Sequence, residues 1–336
     1  MIYLVVFVLV LVGFILAFVF TGLPLPEKTE AVIDDFIGKD LQEFIKGETG
    51  FAKNGDVSIW YENIVETENP KGTILLVMGH STTALGWSRY FFQPMLDRGY
   101  RVIRYDNRGV GMSDWLENWD KNHPYSIEDM ALDGMAVLDA AGVDQAHVVG
   151  VSLGGMIAQR MAISHKDRVQ SLTSLMSSGF MDDPELPRVP KVFEISLLRL
   201  SLRYKISRSE RNDVRFRISV AKMLKSPDHS EVDLPLRTEK ALYEIRKRKG
   251  YSPYVMNQHT KAVQVSGSRY EGLKALDLPV LVVHGRKDPL VLFEHGEKCA
   301  SMIPGAKTIW IDDMGHEIPP HYTPLVLEGI FEVMEL

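Results

Sequence analysis

One short stretch of the chain has the residue type and spacing of a hydrolytic nucleophile. Residues 150–154 read "GVSLG", which fits the pattern Gly-x-Ser-x-Gly with Ser152 at its centre. A β-branched run precedes the pentapeptide and a helix-like segment follows it, which is the context that this pattern requires. A sharp strand-to-helix turn strains the serine backbone and leaves room only for glycine on either side. We therefore predict that Ser152 is a nucleophile.

Two other roles for Ser152 explain less of the sequence. A phosphate-binding turn needs G-x-G-x-x-G or a Gly-Lys-Ser/Thr ending, and neither pattern is present. A plain linker serine leaves unexplained why an acid and a histidine follow in matching positions. Asp288 comes just after the apolar run 278–285, and His316 comes just after the run 307–311.

The order Ser152, Asp288, His316 predicts a catalytic triad. Parallel strands end at the same edge of a sheet, so the loops after three strands can bring these side chains together. His316 would accept the Ser152 proton, and Asp288 would hold the tautomer of the imidazole and stabilise its charge. Taken singly, Asp288 reads as a turn aspartate and His316 as a loop histidine. Their joint occurrence favours the triad.

Other polar residues near the predicted triad have plainer interpretations. Asp312 and Asp313 are rival acids, but two adjacent acids so close to His316 are more typical of a loop surface. His284, inside an apolar strand end, reads as a core histidine whose hydrogen bonds are satisfied. These three residues are therefore left outside the predicted site.

Hydrolysis of an ester also needs two donors for the oxyanion. The backbone N–H of Leu153 directly follows the nucleophile and is the first predicted donor. The second should come from the loop after the apolar run 72–79, and we assign it to the N–H of His80. Ser81 is the neighbouring candidate, and a side-chain or plain loop role for His80 is the alternative.

Strand-like apolar runs alternate with helical patterns, which predicts a mostly parallel α/β sheet with helices on both faces. The first part of this core covers residues 57–181 and the second part covers 271–336. Between them, residues 182–270 show helical patterns and no clear strand, as expected of a helical cap over the C-terminal edge of the sheet. Within the cap, residues 188–249 contain 17 Lys or Arg against 8 Asp or Glu. This excess is typical of a solvated helical surface; a surface for anionic lipid, or for an anionic or amphiphilic substrate, is the alternative.

The first residues differ from the rest of the chain. Residues 2–20 carry no charge, and as a helix they would span about 28 Å, close to the roughly 30 Å hydrocarbon core of a bilayer. We therefore predict a transmembrane anchor within residues 1–22, followed by a tether and lead-in over residues 23–56. The predicted location is a membrane, through a single N-terminal pass. A signal sequence, with secretion after cleavage, is the alternative.

The composition of the 336 residues limits the class of function. The net charge of −6 argues against a nucleic-acid partner. The lone Cys299 excludes an internal disulfide and a cysteine-based metal site.

Several motifs together resemble the α/β-hydrolase superfamily, over about residues 57–334. They are the "GVSLG" turn at 150–154, "YDNRGVGMSD" at 105–114, "HGRKDPL" at 284–290 and "MGHEIPP" at 314–320. The stretches at 75–87, 102–113 and 250–320 are similar in particular to the aclacinomycin methylesterase-like esterases. The resemblance implies a Ser-His-Asp hydrolase with a helical cap and no cofactor. One departure is Met78-Gly79, where many members have His-Gly.

The sequence as a whole predicts a membrane-anchored serine esterase that cleaves a carboxylic ester of a small or lipid-like molecule through an acyl-enzyme. No cofactor, metal or nucleic acid is expected. Because Ser152 is not an aspartate, dehalogenase and epoxide-hydrolase chemistry is disfavoured. The alternatives are a cofactor-free perhydrolase or lipase on the same triad, and a non-catalytic ligand-binding or membrane-interaction protein of the same fold.

Overall fold

The computed structural model describes residues 24–207, 209–226 and 231–336, together with Phe7 and Phe18. Strands and helices alternate along this part of the chain. The strands are β1 (Glu48–Asn54), β2 (Val57–Ile64), β3 (Thr73–Val77), β4 (Arg101–Tyr105), β5 (Ala146–Val151), β6 (Val169–Leu175), β7 (Val280–Gly285) and β8 (Lys307–Ile311). The helices are α1 (Thr29–Ile37), α2 (Arg89–Asp97), α3 (Ile127–Ala140), α4 (Leu153–Ser164), α5 (Lys191–Tyr204), α6 (Glu210–Leu224), α7 (Leu234–Lys247), α8 (Val255–Val265), α9 (Tyr270–Lys274), α10 (Phe293–Met302) and α11 (Thr323–Met334), with short 3₁₀ turns at Ala84–Gly86, Lys166–Arg168 and Pro320–Tyr322.

The eight strands form one sheet in the order β1-β2-β4-β3-β5-β6-β7-β8. The pairs β1–β2 and β2–β4 are antiparallel, and every other neighbouring pair is parallel. Parallel neighbours cannot be joined by a tight turn, so helices carry the chain from one strand to the next. The prediction of a mostly parallel α/β-hydrolase sheet is confirmed.

Strand β1 is the main element that the sequence reading missed. Residues 23–56 were expected to be a tether and lead-in, with β2 at the sheet edge, but β1 pairs with β2 and is the outer strand. The two are joined by the two-residue turn Gly55-Asp56, since Asn54 pairs directly with Val57. Gly-Asp is one of the residue pairs that form two-residue hairpin turns, so the turn had a local signal although the apolar pattern of β1 is weak.

The central strands are buried on both faces because their alternating side chains enter two separate apolar clusters. Leu75 and Val77 of β3 pack on the face that is covered by α3 and α4. Ile74 and Leu76 pack on the opposite face, which α2 and α11 cover. This alternation follows from the period of two in a strand. It leaves the C-terminal ends of the strands as the free edge where loops meet.

Helices α5 to α8 lie between β6 and β7 in the chain, within the predicted cap; its limits at 182 and 270 stay a prediction. A third apolar cluster joins α6 and α7 to helix α1 through Ile33, Ile218 and Leu242. Arg211 and Arg215 of α6 form ion pairs with acids of α1. The lead-in helix therefore neutralises part of the basic excess of this region.

The predicted transmembrane anchor requires a correction. In the ranges that the structure describes, no helix is both long enough and apolar enough to cross a bilayer. The segment 1–22 on which the prediction rested lies outside the described residues, apart from Phe7 and Phe18. The transmembrane part of the predicted fold and the single-pass membrane location are therefore wrong for this structure, because an apolar run alone does not establish a spanning helix.

Candidate active site

Ser152 lies in a sharp turn between β5 and α4. Its backbone has φ 57° and ψ −122°, a region that residues with a side chain rarely adopt. A Cβ at Gly150 would come within 2.1 Å of the carbonyl oxygen of Gly154, and a Cβ at Gly154 would come equally close to that of Val77. Both glycines of the pentapeptide are therefore needed for the backbone to turn here.

The surroundings hold this strained turn from both sides. The N–H of Ser152 donates to the carbonyl oxygen of Leu175 at 2.8 Å. The hydroxyl of Ser177 donates to the carbonyl oxygen of Ser152 at 2.7 Å. A residue in an unfavourable backbone region persists only when its neighbours over-determine its position, and these contacts from β6 and the loop after it do so.

Asp288 and His316 are in direct contact. Nδ1 of His316 lies 2.6 Å from Oδ2 of Asp288, although the two residues are 28 positions apart in the chain. An ionised carboxylate can only accept a hydrogen bond, so Nδ1 carries the proton and Nε2 is the basic nitrogen. The hydroxyl of Ser152 makes no hydrogen bond to His316 among the described contacts. That contact belongs to the functional proposal below.

Several groups hold Asp288 in its ionised form. Its Oδ1 accepts hydrogen bonds from the N–H groups of Leu290 and Val291 at 2.8 and 2.9 Å. Burial by itself would raise the pKa of Asp288, but the charge of His316 and the hydrogen bonds from His284 and His316 outweigh it and lower the pKa to about 2. The carboxylate is thus a fixed negative charge beside the imidazole.

His284 has a closer relation to Asp288 than the sequence predicted. It is fully buried, as expected of a core histidine, and its Nε2 donates to the carbonyl oxygen of Val291 at 2.8 Å. The same nitrogen lies 3.4 Å from Oδ2 of Asp288. Its Nδ1 is buried and has no hydrogen-bond partner in the described chain. His284 therefore lies beside the same carboxylate oxygen that accepts the hydrogen bond from His316.

The two rival acids have other partners. Asp312 is 90% exposed in its side chain and forms an ion pair with Arg286 at 3.0 Å. Asp313 accepts a hydrogen bond from the hydroxyl of Tyr322 at 2.5 Å. Of the three candidate acids, Asp288 is the one whose hydrogen bond to His316 the structure records.

The loop after β3 packs against the serine turn, with Gly79 in close contact. A Cβ at Gly79 would lie 3.2 Å from Cβ of Ser152, so His80 follows at the place expected for an oxyanion donor. The backbone N–H of Ser81 donates instead to Nδ1 of His259 at 3.1 Å. Because the N–H of Ser81 already has an acceptor, the N–H of His80 is the better candidate for the second oxyanion donor. Leu153 begins helix α4, so its N–H has no acceptor within the helix.

His259, on helix α8, is a residue of the site that the sequence reading missed. Its Nε2 donates to the carbonyl oxygen of Arg108 at 2.8 Å, and its Nδ1 accepts from Ser81, which has a positive φ of 54°. Burial and the neighbouring His80 lower the pKa of His259 to about 3, so the ring stays neutral and keeps this tautomer. The stretch at 250–320 is similar to the methylesterase-like esterases, but no local sequence pattern indicated a role for this histidine.

We expect His259→Ala to lower kcat about ten- to a hundredfold with a smaller effect on KM, since a misplaced oxyanion donor acts mainly in the transition state. Steady-state kinetics on a p-nitrophenyl ester measures the changes in kcat and in KM separately. His147→Ala is the matched control. His147 is also buried, but it forms a hydrogen bond with Ser171 near the N-terminal ends of β5 and β6, away from the candidate site. Equal losses of kcat in both variants would contradict a positioning role for His259.

The cap region holds the loop that carries His316. The N–H of His316 donates to the carbonyl oxygen of Leu224, the last residue of α6, at 2.7 Å. A Cβ at Gly315 would lie 2.5 Å from that same oxygen, so the approach needs glycine. Glu317 forms ion pairs with Lys225 at 3.4 Å and with Arg237 at 2.5 Å. The position of His316 thus depends on contacts with α6, α7 and the residue after α6.

Throughout the residues that the structure describes, no three His, Cys, Asp or Glu side chains are grouped so as to hold a metal ion.

Comparison with known proteins places these features in a family. A model described as the alpha/beta hydrolase fold matches residues 72–320. Rhodomycin D methylesterase DauP of Streptomyces sp. (strain C5) is 28% identical over 284 residues, which cover 81% of this chain and 93% of that enzyme.

Two solved structures show the same fold. An enol-lactonase from Burkholderia xenovorans LB400 has a TM-score of 0.63 at 18% identity and covers 84% of this chain and 100% of its own. The esterase EaEST from Exiguobacterium antarcticum has a TM-score of 0.66 at 20% identity and covers 85% of this chain and 99% of its own. The predicted likeness to methylesterases and the prediction of an ester-cleaving hydrolase are confirmed by the sequence relatives. Since the matching family model covers most of its length, the chain belongs to the α/β-hydrolase fold family.

Proposed function

We propose that this chain is a serine hydrolase that cleaves carboxylic esters of small or lipid-like molecules through an acyl-enzyme. The observation that carries the proposal is the buried 2.6 Å hydrogen bond between Asp288 and His316. This hydrogen bond leaves Nε2 of His316 free to act as a base. Ser152 lies in a strained turn at the same edge of the sheet. A serine hydroxyl is a weak nucleophile until such a base activates it.

In the proposed reaction, the oxygen of Ser152 attacks the acyl carbon while its proton passes to Nε2 of His316. The negative charge on the carbonyl oxygen is stabilised by the N–H groups of His80 and Leu153. The tetrahedral intermediate then collapses, the ester bond breaks, and His316 gives its proton to the leaving alcohol. Water, deprotonated by His316, attacks the acyl-enzyme in the same way and releases the carboxylic acid.

Covalent labelling tests this assignment directly. A fluorophosphonate should modify Ser152 and no other serine, because the reagent needs an activated hydroxyl near an oxyanion hole. Peptide mass spectrometry locates the adduct, and Ser152→Ala should abolish it. Ser301→Ala, at an exposed serine of α10, is the control and should label as wild type does. Labelling at another serine, or labelling that survives Ser152→Ala, would overturn the proposal.

A further inference from the structure

Helix α7 contacts two loops of the candidate active site through residues on one charged face. Arg237, Lys240 and Glu244 are spaced three and four residues apart, so they share that face. Arg237 contacts Glu317, the residue after His316, at 2.5 Å. Glu244 accepts a hydrogen bond from the hydroxyl of Thr83, in the loop that contains His80, at 2.5 Å. One end of this face therefore contacts the loop that carries His316, which we call the base loop. The other end contacts the loop that carries His80, which we call the oxyanion loop.

Lys240 lies between these two contacts. Residues 237 to 244 rise about 10 Å along the helix. The loop of His316 follows β8 and the loop of His80 follows β3; β5, which leads to Ser152, is the neighbour of β3, and β6 and β7 separate it from β8. Lys240 therefore lies on this face between a contact with the His316 loop and a contact with the His80 loop.

Lys240 interacts with Glu244 and Glu317 through charge alone, which distinguishes it from its neighbours on the helix. Within the described ranges, its ammonium makes no hydrogen bond and no ion pair, although the residue is partly buried. Arg217 pairs with Glu244 at 3.6 Å, and Arg237 pairs with Glu317. Burial lowers the pKa of Lys240 to about 8; the charge of Glu244 opposes this shift most strongly, Arg237 and Arg217 add to it, and Glu317 also opposes it.

The described charges that these contacts connect with Lys240 do not balance. Within the described part of the chain, four of these cations stand against the two carboxylates of Glu244 and Glu317, and all of these side chains are partly or fully removed from solvent. The cations are Arg217, Lys225, Arg237 and Lys240. An uncompensated positive charge that has lost part of its hydration attracts an anion. Nothing in the proposed triad mechanism uses this charge.

We propose that Lys240 forms an anion subsite of the active site, and that the preferred substrates are esters that carry a second, free carboxylate. The inference rests on the proposed function and narrows its substrate class. The carboxylate would lie against the ammonium of Lys240 while the ester carbonyl lies between Ser152 and the His80 amide. Such a contact improves binding of the substrate as a whole, so it acts mainly on KM.

The first test measures binding without turnover. Ser152→Ala protein is titrated calorimetrically with monoethyl adipate and with the neutral monoethyl ester of adipamic acid. We expect the anionic ester to bind about ten- to a hundredfold more tightly, as for a hydrogen bond to a charged group. Adding Lys240→Met should remove that preference. Equal affinity for the two ligands, no binding of either, or a preference that survives Lys240→Met would overturn the proposal.

The second test measures kinetics and locates the carboxylate. Monoethyl adipate carries the anion on the acyl side and 4-carboxyphenyl butyrate carries it on the alcohol side; each is compared with its neutral amide. In Lys240→Met and Lys240→Gln, the ratio of kcat/KM for anionic over neutral ester should fall about ten- to a hundredfold for one of these pairs. Lys240→Arg should retain most of the preference for the anionic ester, because it keeps the positive charge.

Lys247→Met is the matched control, since Lys247 is an exposed lysine at the end of the same helix. It should leave the ratio unchanged. A loss of the ratio in Lys247→Met as large as in Lys240→Met would overturn the subsite, because it would reflect the overall charge of the cap. If wild-type protein cleaves no ester, the proposed function fails, while the binding titration still decides whether Lys240 holds an anion.

Discussion

Replacement of Ser152 by alanine is expected to lower kcat for a p-nitrophenyl acyl ester by about 10⁴- to 10⁶-fold, because the hydroxyl is the proposed nucleophile. Residual turnover would come from water attack in a site that still binds the ester and holds the oxyanion. Stopped assays with purified protein at high enzyme concentration measure a residual rate of this size.

The fold should survive the Ser152→Ala change. The structural hydrogen bonds of Ser152 use its backbone N–H and carbonyl groups, which alanine keeps. The thermal unfolding midpoint should therefore stay within a few degrees of wild type. A kcat that falls less than about tenfold in a folded variant would contradict the assignment, since losing a true nucleophile costs orders of magnitude more.

Replacement of Asp288 by asparagine has the second largest expected effect, a fall in kcat of about 10⁴-fold. The side-chain amide can donate to Nδ1 of His316, which moves the ring proton to Nε2 and leaves no base for Ser152. The negative charge that would stabilise the protonated imidazole is lost as well. The measurement is kcat on the same p-nitrophenyl ester, with fluorophosphonate labelling as a second readout.

Asp312→Asn is the control for this change. Asp312 lies in the loop that carries His316, but its exposed side chain contacts Arg286 instead. Its replacement should leave kcat at the wild-type level, because a surface ion pair contributes little. If Asp312→Asn and Asp288→Asn were equally damaging, the acid of the proposed triad would have to be reassigned.

Much of the local structure could be predicted because it depends on neighbours in the chain. Ser126 precedes an apolar-periodic run and Asp129 follows three residues later, which is the pattern of a capping box, and α3 begins there with both hydrogen bonds of that box. The apolar run at 307–311 is strand β8, with the same bounds. Such features follow from backbone hydrogen bonding and from the period of apolar residues.

The expectations that failed depended on contacts made elsewhere. β1 is a short, largely exposed strand, and its apolar pattern is too weak to reveal it without its partner β2. The N-terminal apolar run has the composition of a membrane helix, but composition does not establish that a spanning helix forms. Likewise, no spacing rule connects His259 with Ser81, which are 178 residues apart.

By itself, the sequence determined the α/β class, the glycines that permit the turn at Ser152, and the order along the chain of the three residues proposed as nucleophile, acid and base. These depend on residue type and on steric limits within a few residues. Only the tertiary structure decided which of three aspartates contacts His316, which loop amide is already engaged, and that Lys240 lies between the two catalytic loops. Those outcomes depend on how distant loops meet at one sheet edge, and that meeting depends on packing across the whole chain.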